Sequence, residues 1–110
     1  MGAHEVSVKR FGFPTRLLEN PLIAAIGLTV DAILAPNPDR VFWLIVNLSV
    51  NVVYIAFDRD VSAAKGIWLD ANGGWASTAV DEDGEAVAYG VYGLATGAAS
   101  AIYVLEIEKD

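Results

Sequence analysis

The sequence contains no cysteine and only one histidine, His4, among its 110 residues. Without cysteine the chain has neither a disulfide framework nor a thiolate metal site. A single histidine near the N-terminus has no partner ligands for a metal ion, and it leaves the serines without an activating histidine, which excludes Ser-His-Asp chemistry. We therefore expect no enzymatic activity and no cofactor.

Basic residues are also scarce. Lysine and arginine number 7 against 14 aspartates and glutamates, so the net charge is −7. Nucleic-acid-binding surfaces neutralise phosphates with basic residues, and anionic membrane surfaces attract the same residues. The longest apolar window, Pro21 to Ala35, is shorter than the roughly 20 residues of a spanning helix and contains Asp31. We expect neither nucleic acid nor a membrane as a partner.

The hydrophobic residues, 55% of the chain, follow the pattern of short strands. The runs Val41–Asn47 and Val52–Phe57 are rich in β-branched and aromatic residues and flank a polar break, which predicts two antiparallel strands joined by a short loop. The first run is apolar at nearly every position, so both of its faces should be covered. Farther along, Asn72-Gly73 has the chemistry of a tight hairpin turn.

Later strands recur at a spacing of roughly 8 to 12 residues, which is typical of an all-β sandwich or small barrel. They are predicted at Ile67–Leu69, at Trp75–Val80, within Ala86–Ala95 and at Ala101–Glu108. We predict an all-β fold: a single small antiparallel β-sandwich, jelly-roll-like, of about six to eight strands, with an extended N-terminal arm. Residues 1–35 form the arm, with a possible first strand, and residues 36–110 form the sandwich domain.

Within the arm, the segment Pro21–Leu34 fits two structures. Its alanines and leucines suit a helix, whereas the alternation of apolar residues from Ile26 to Ala32 fits a strand. We favour a strand over Leu28–Ile33, and the helix stays open as the alternative.

Acidic residues provide two candidate sites. The loop Asp81–Glu85 could hold a hard cation, but it lacks the long ligand series of helix-loop-helix calcium sites, and a solvated loop is the simpler interpretation. In the last strand Glu106 and Glu108 lie about 7 Å apart, a separation that a glycosidase could use. A solvated face, or one that meets a partner, is the simpler interpretation. The alternation places Ile102, Val104, Glu106 and Glu108 on one face of this strand and Tyr103, Leu105 and Ile107 on the other.

The tryptophans provide the third candidate. Trp43 lies in the most apolar run and is expected in the core, whereas Trp68 and Trp75 bracket the predicted hairpin turn. Aromatic residues across a hairpin usually pack on each other, but they also form interfaces and grooves for ligands. Together with Tyr89 they define an alternative function, a carbohydrate- or peptide-binding module.

A series of turn and core positions runs through residues 36–107, about two thirds of the chain. It consists of Asn37-Pro-Asp-Arg40, Asn47-x-Ser49, Val53-Tyr-Ile-x-Phe57, Val61-Ser62, Gly66-Ile67-x-Leu69, a glycine-rich turn, Val91-Tyr-Gly-Leu-Ala95 and Val104-Leu-Glu106. This series resembles small virion structural proteins of tailed bacterial and archaeal viruses. The resemblance implies a compact β-sandwich that sits on or within a capsid as a decoration, cementing or minor structural subunit, and it involves no catalytic residues.

We therefore expect a virion structural protein that acts by protein–protein assembly. Its partners are expected to be further copies of itself, as a homo-oligomer, and other capsid or virion subunits. A surface against packaged DNA would need basic residues, so the net charge of −7 favours the capsid exterior. The expected contact residues are Phe11, Phe13, Leu17, Leu18, Leu22, Ile23, Trp68 and Trp75. Whether the arm docks on its own domain or on a neighbour stays open.

Overall fold

The computed structural model describes residues 15–79 and 84–109, with all of their side chains except those of residue 15 and residues 19–25. In this part of the chain eight strands form two four-stranded antiparallel sheets. The predicted all-β sandwich is therefore confirmed. The strands are β1 (Thr15–Ile26), β2 (Asp31–Leu34), β3 (Arg40–Asn47), β4 (Val53–Ala56), β5 (Ile67–Leu69), β6 (Trp75–Ala79), β7 (Val91–Ala95) and β8 (Ser100–Lys109), with a short 3₁₀ helix at Gly84–Ala88.

The strand order is that of a jelly roll. Sheet A has the order β1-β8-β3-β6 and sheet B the order β2-β7-β4-β5. Every connection crosses from one sheet to the other except that between β4 and β5, which are neighbours in sheet B. Two interleaved sheets of this kind make up the eight-stranded jelly roll, an architecture shared by viral capsid, lectin and cupin domains.

Neither predicted hairpin forms. β3 and β4 lie in different sheets, and so do β5 and β6. The local turn chemistry is nevertheless as predicted, because Asn72 (φ 60°) and Gly73 (φ 121°) both adopt the left-handed conformation of tight turns. Tertiary packing decides the pairing: in separate sheets the apolar sides of β3 and β4 face each other across the core, where Ile45 and Ile55 are both buried.

The sandwich includes two strands that precede residue 36, the first of them described from Thr15 onward. β1 pairs with β8, and β2 pairs with β7. Residues 15–34 of the predicted arm therefore belong to the two sheets, and removing them would take away an edge strand from each. Residues 1–14 lie outside the described residues.

The helix alternative for Pro21–Leu34 is wrong, and the strand favoured over Leu28–Ile33 only overlaps β2, which starts at Asp31. The longer strand β1 was not predicted. Its register with β8 shifts after Asn20 and again after Ile23. Such irregularities break the alternation of apolar and polar residues by which a strand is recognised in a sequence.

The core lies between the two sheets. Trp43 on β3 is the largest fully buried side chain, and it is 1% exposed. Around it pack aliphatic residues from both sheets and Val87 of the 3₁₀ helix. The cluster consists of Ile26, Ile33, Leu34, Trp43, Ile45, Val53, Ile55, Leu69, Val87, Val91, Ala95, Ile102 and Val104.

Candidate assembly surface

The outer side of sheet A is formed by the side chains that alternate with core residues. On β3, Trp43 and Ile45 point into the core. Phe42, Leu44 and Val46 therefore point outward, because successive side chains of a strand lie on opposite faces. All three are only half-buried. The prediction that both faces of this run would be fully covered is thus wrong for its outer face.

Four strands contribute to this outward surface, which we call the A face. Its twelve described members are Leu17 of β1; Phe42, Leu44 and Val46 of β3; Trp75, Ser77 and Ala79 of β6; and Ala101, Tyr103, Leu105, Ile107 and Lys109 of β8. The strand register aligns them in rows. Leu44, at the centre, lies between Leu105 on one side and Ser77 on the other.

The A face is largely apolar and open at its borders. Its described members are uncharged except for Lys109 at the end of β8, and Glu19 lies beside Leu105 in the strand register. Trp75 on the β6 border is 65% exposed, and Leu17 on the β1 border is 59% exposed. Contiguous exposed apolar surface is a common feature of interaction sites, so the A face is the candidate assembly surface.

The outer side of sheet B is covered in part by the chain itself. The connection between β4 and β5, residues 57–66, returns over it. The guanidinium of Arg59 lies 4.7 Å from the centroid of the Tyr92 ring, and the indole Nε1 of Trp68 donates a hydrogen bond to the Ala63 carbonyl at 3.1 Å. Tyr54, which Trp68 meets edge-on, is consequently only 8% exposed.

The aromatic residues predicted for a carbohydrate- or peptide-binding module do not lie together. Trp68 and Trp75 are both exposed, but they point outward from opposite sheets. Tyr89 lies in the connection before β7, where its ring meets that of Phe57. Trp43 is in the core, as predicted. A sugar or peptide groove made of Trp68, Trp75 and Tyr89 together therefore does not exist in this fold.

The predicted contact residues do not lie on one surface of the structure. Phe11 and Phe13 lie outside the described residues, and Leu22 and Ile23 fall in β1, where their side chains are not described. Leu17 belongs to the A face. The neighbouring Leu18 is half-buried. Trp75 belongs to the A face and Trp68 to the outer side of sheet B, so the structure brings together only Leu17 and Trp75 of this set.

A buried arginine organises the end of the sandwich at which β3 begins. Arg40 is 3% exposed, and its Nε contacts Glu106 Oε1 at 2.6 Å. Its Nη1 donates to the carbonyls of Val87 and Tyr89 at 3.2 and 3.1 Å, and its Nη2 donates to that of Ala35 at 2.7 Å. One side chain therefore joins β8, the 3₁₀ helix region and the segment after β2. We call this the Arg40 end.

Glu108 extends this polar cluster. Its carboxylate accepts hydrogen bonds from Asn37 Nδ2 at 2.7 Å and from Arg16 Nη2 at 2.6 Å. These bonds, with that from Asn37 the stronger influence, hold the pKa of Glu108 below its usual value. Glu106 and Glu108 are 7% and 8% exposed, so the predicted solvated face is wrong: both carboxylates point between the sheets, and a glycoside cannot reach them.

A buried amide organises the opposite end. Asn47, the last residue of β3, is fully buried. Its Nδ2 lies 2.7 Å from the carbonyl of Asn51 and 3.0 Å from that of Leu69, and its Oδ1 accepts bonds from the backbone N and the hydroxyl of Ser49. It thereby ties the β3–β4 connection to the β5–β6 connection. We call this the Asn47 end.

The surface of the Asn47 end is uncharged over three of its four connections. Residues 27–30, 48–52 and 96–99 contain no Asp, Glu, Lys or Arg. Large apolar side chains project from two of them: Leu28 is 68% exposed, Leu48 is 48% exposed and Val50 is 79% exposed. This end continues the largely uncharged character of the A face, whose Val46 directly precedes Asn47.

Cavities and ion sites give no stronger candidate in the described part of the chain. A pocket of about 490 Å³ at the Arg40 end is lined by Pro38, Gly84, Glu85, Ala88 and Tyr89. Among the described residues no three His, Cys, Asp or Glu side chains come together to hold a metal ion, and most of the acidic loop Asp81–Glu85 lies outside them. No helix in the described ranges has the length and apolar character needed to cross a membrane.

Comparisons of the chain with known protein families, with curated proteins and with solved structures find no match. The assignment of a function therefore depends on the site itself.

The A face was missed by the sequence reasoning, although a signal for it exists. The run Val41–Asn47 is apolar on both sides, and the same holds for Tyr103, Leu105 and Ile107 opposite the core side of β8. Two adjacent strands with apolar residues on both sides predict either a fully buried sheet or an outer face that meets a partner. The outer side of sheet A is not fully buried in the described chain, because Trp75 at its border is exposed.

Proposed function

We propose that the protein is a structural subunit that acts by protein–protein assembly, and that it belongs to a virion as a capsid decoration, stabilising or minor structural protein. The observation that carries the first part is the A face: a mostly apolar outward surface on one sheet, bordered by an indole that is 65% exposed. Aromatic and aliphatic surface of this type forms the buried centre of protein interfaces.

The virion assignment has two supports. The first is the resemblance of residues 36–107 to small virion structural proteins. The second is the jelly-roll strand order, which is found in capsid proteins but also in lectins and cupins, so the fold by itself does not select among these functions. The net charge of −7 favours an exterior position, because a surface that faces packaged DNA needs basic residues.

The assembly role is tested by light scattering combined with binding of an apolar fluorescent dye, using the full chain. The proposal predicts either an oligomer, or a monomer that binds the dye through an open A face and loses this binding in Trp75→Ser. Trp68→Ser, the same substitution on sheet B, is the matched control and should retain the dye signal. A monomer that binds no dye would contradict the proposal, because its A face would be neither paired nor open.

The virion assignment is tested on particles of the virus from which the sequence derives. Antibodies against the purified protein should label intact particles if it lies on the exterior. Labelling only after disruption would move it to the interior, and disrupted particles without any label would refute the assignment.

A further inference from the structure

We propose that the A face packs against the A face of a second copy of this chain, so that sheet A of each copy stacks on sheet A of the other around a two-fold axis. This inference rests on the proposed assembly function and names its partner. It concerns the four-stranded surface centred on Leu44, with Trp75 at one border and Leu17 at the other.

The shape of the A face suits an identical partner. Two β-sheets pack face to face when both have the same twist, at an angle of about 30° between strand directions, and their side chains interdigitate over roughly 10 Å. A second copy supplies a sheet of identical twist and identical side-chain spacing. The centre of the A face carries branched aliphatic side chains, Leu44 and Leu105, while the bulkier Phe42, Tyr103 and Trp75 stand around them. Such an arrangement can interdigitate with its own copy.

The charge distribution permits this pairing. Each copy carries a net charge of −7, so two copies repel wherever their acidic residues come close. On β8 the carboxylates of Glu106 and Glu108 point away from the A face and into the sandwich, where Arg40 and Arg16 contact them. Among the described outward residues of sheet A the only charged side chain is that of Lys109, at the end of β8, and the register places Glu19 beside Leu105. Two copies therefore bring residues of opposite sign to such an interface, rather than the net acidic charge of the whole chain.

The area is sufficient for a dimer, though not for a very tight one. The four strands of sheet A at about 4.8 Å spacing give a width of about 19 Å. They are 5 to 12 residues long, which gives about 30 Å along their direction on average. The footprint is therefore roughly 600 Å² per copy, or about 1,200 Å² in total, at the lower end of the range for specific stable interfaces. We expect a dimer that dissociates on dilution.

The test is sedimentation of the full chain over a range of concentrations, with variants at the border of the A face. Trp75→Ser and Ser77→Lys change side chains that are already exposed, so the fold should persist, and each should raise the dimer dissociation constant by about tenfold or more. Leu44→Lys, at the centre, should abolish the dimer. Leu28→Lys is the matched control: the same substitution at a leucine that is 68% exposed in the β1–β2 connection should leave the dissociation constant unchanged.

Three results would overturn the inference. A dimer that Trp75→Ser and Ser77→Lys do not weaken would use another surface. A monomer whose A face binds the apolar dye would have an open face that meets a different protein, and the proposed assembly function would still stand. A monomer that binds no dye would have its A face covered by another segment of its own chain, and both proposals would fail together.

Discussion

Both ends of the sandwich are held together by a buried polar side chain, which is charged at one end and neutral at the other. Each is held by a buried polar side chain at one end of β3: Arg40, 3% exposed, at the beginning and Asn47, fully buried, at the end. Each joins segments that are distant in sequence by hydrogen bonds to their carbonyl groups. The arginine is charged and requires a carboxylate, Glu106, whereas the amide is neutral and requires none.

The surfaces follow the same division. At the Arg40 end the connection of residues 57–66 contains two aspartates, one arginine and one lysine, and the described residues 84–90 contain one acidic residue, Glu85. At the Asn47 end three connections contain no charged residue. Burying the charged groups of the Arg40 end costs hydration free energy, whereas burying the Asn47 end and the adjoining A face costs little. For the proposed assembly we therefore predict that the Arg40 end faces solvent.

The largest effect is expected from Arg40→Met. The substitution removes the Arg40 guanidinium from the buried Glu106 carboxylate and from the carbonyls of Val87, Tyr89 and Ala35. Removing one partner of a buried ion pair costs about 3–5 kcal/mol. Chemical denaturation should show a loss of this size in the free energy of unfolding.

The double variant Arg40→Met with Glu106→Leu is the control for Arg40→Met. It removes both charges, so it should recover part of the lost stability, because replacing a whole buried pair with apolar residues is often neutral. A single variant as stable as the wild type would show that the ion pair does not hold the Arg40 end.

Asn47→Leu should have a smaller effect at the opposite end. The side chains are similar in size, but leucine leaves the carbonyls of Asn51 and Leu69 without their donor. Unsatisfied buried polar groups cost about 1–3 kcal/mol each, and the carbonyl of Asn51 keeps a bond from the Ser49 hydroxyl. We expect a loss of about 2–3 kcal/mol in unfolding free energy, without the charge penalty of Arg40→Met. If Asn47→Leu lost more unfolding free energy than Arg40→Met, the expectation that the charged end is the more sensitive of the two would be wrong.

Acid should act on the Arg40 end through Glu108. The pKa of this carboxyl is lowered in the folded state from 4.5, chiefly by the bond from Asn37. Its stabilisation is therefore present above about pH 4.5 and disappears as the pH falls through the lowered pKa. When the pH is lowered from neutral into this acidic range, the melting temperature of Glu108→Gln should fall less than that of the wild type. Parallel melting temperatures of the two proteins over the whole range would contradict the expectation.

The sequence predicts those parts of the fold that depend on local chemistry. β3, β4, β5, β6 and β8 all coincide with runs of β-branched and aromatic residues, and the turn at Asn72-Gly73 has its expected conformation. The sequence does not predict which strands share a sheet, because a turn of given chemistry can connect two strands of one sheet or two strands of different sheets. That choice is made by the packing of sides that are distant in sequence, such as Ile45 against the strands of sheet B.

The candidate surface could be predicted only in part, for a related reason. The two faces of β8 were separated correctly, but both are largely apolar, and alternation alone does not tell which one is buried. Arginine and glutamate are rarely buried, so the side of β8 with Glu106 is predicted from the sequence to be solvated or to meet a partner. The structure reverses this because Arg40 is close enough to neutralise Glu106 between the sheets.

The smallest effect is expected for an exposed ion pair at the Arg40 end. Lys65 contacts the carboxylate of Asp60, but both side chains are more than half exposed, at 55% and 61%. Water and salt screen such pairs, and ordering two long side chains offsets most of the attraction. Lys65→Met should therefore leave the denaturation midpoint unchanged, in contrast to Arg40→Met. If Lys65→Met destabilised the protein as strongly as Arg40→Met, burial could not be the reason why the Arg40 pair matters.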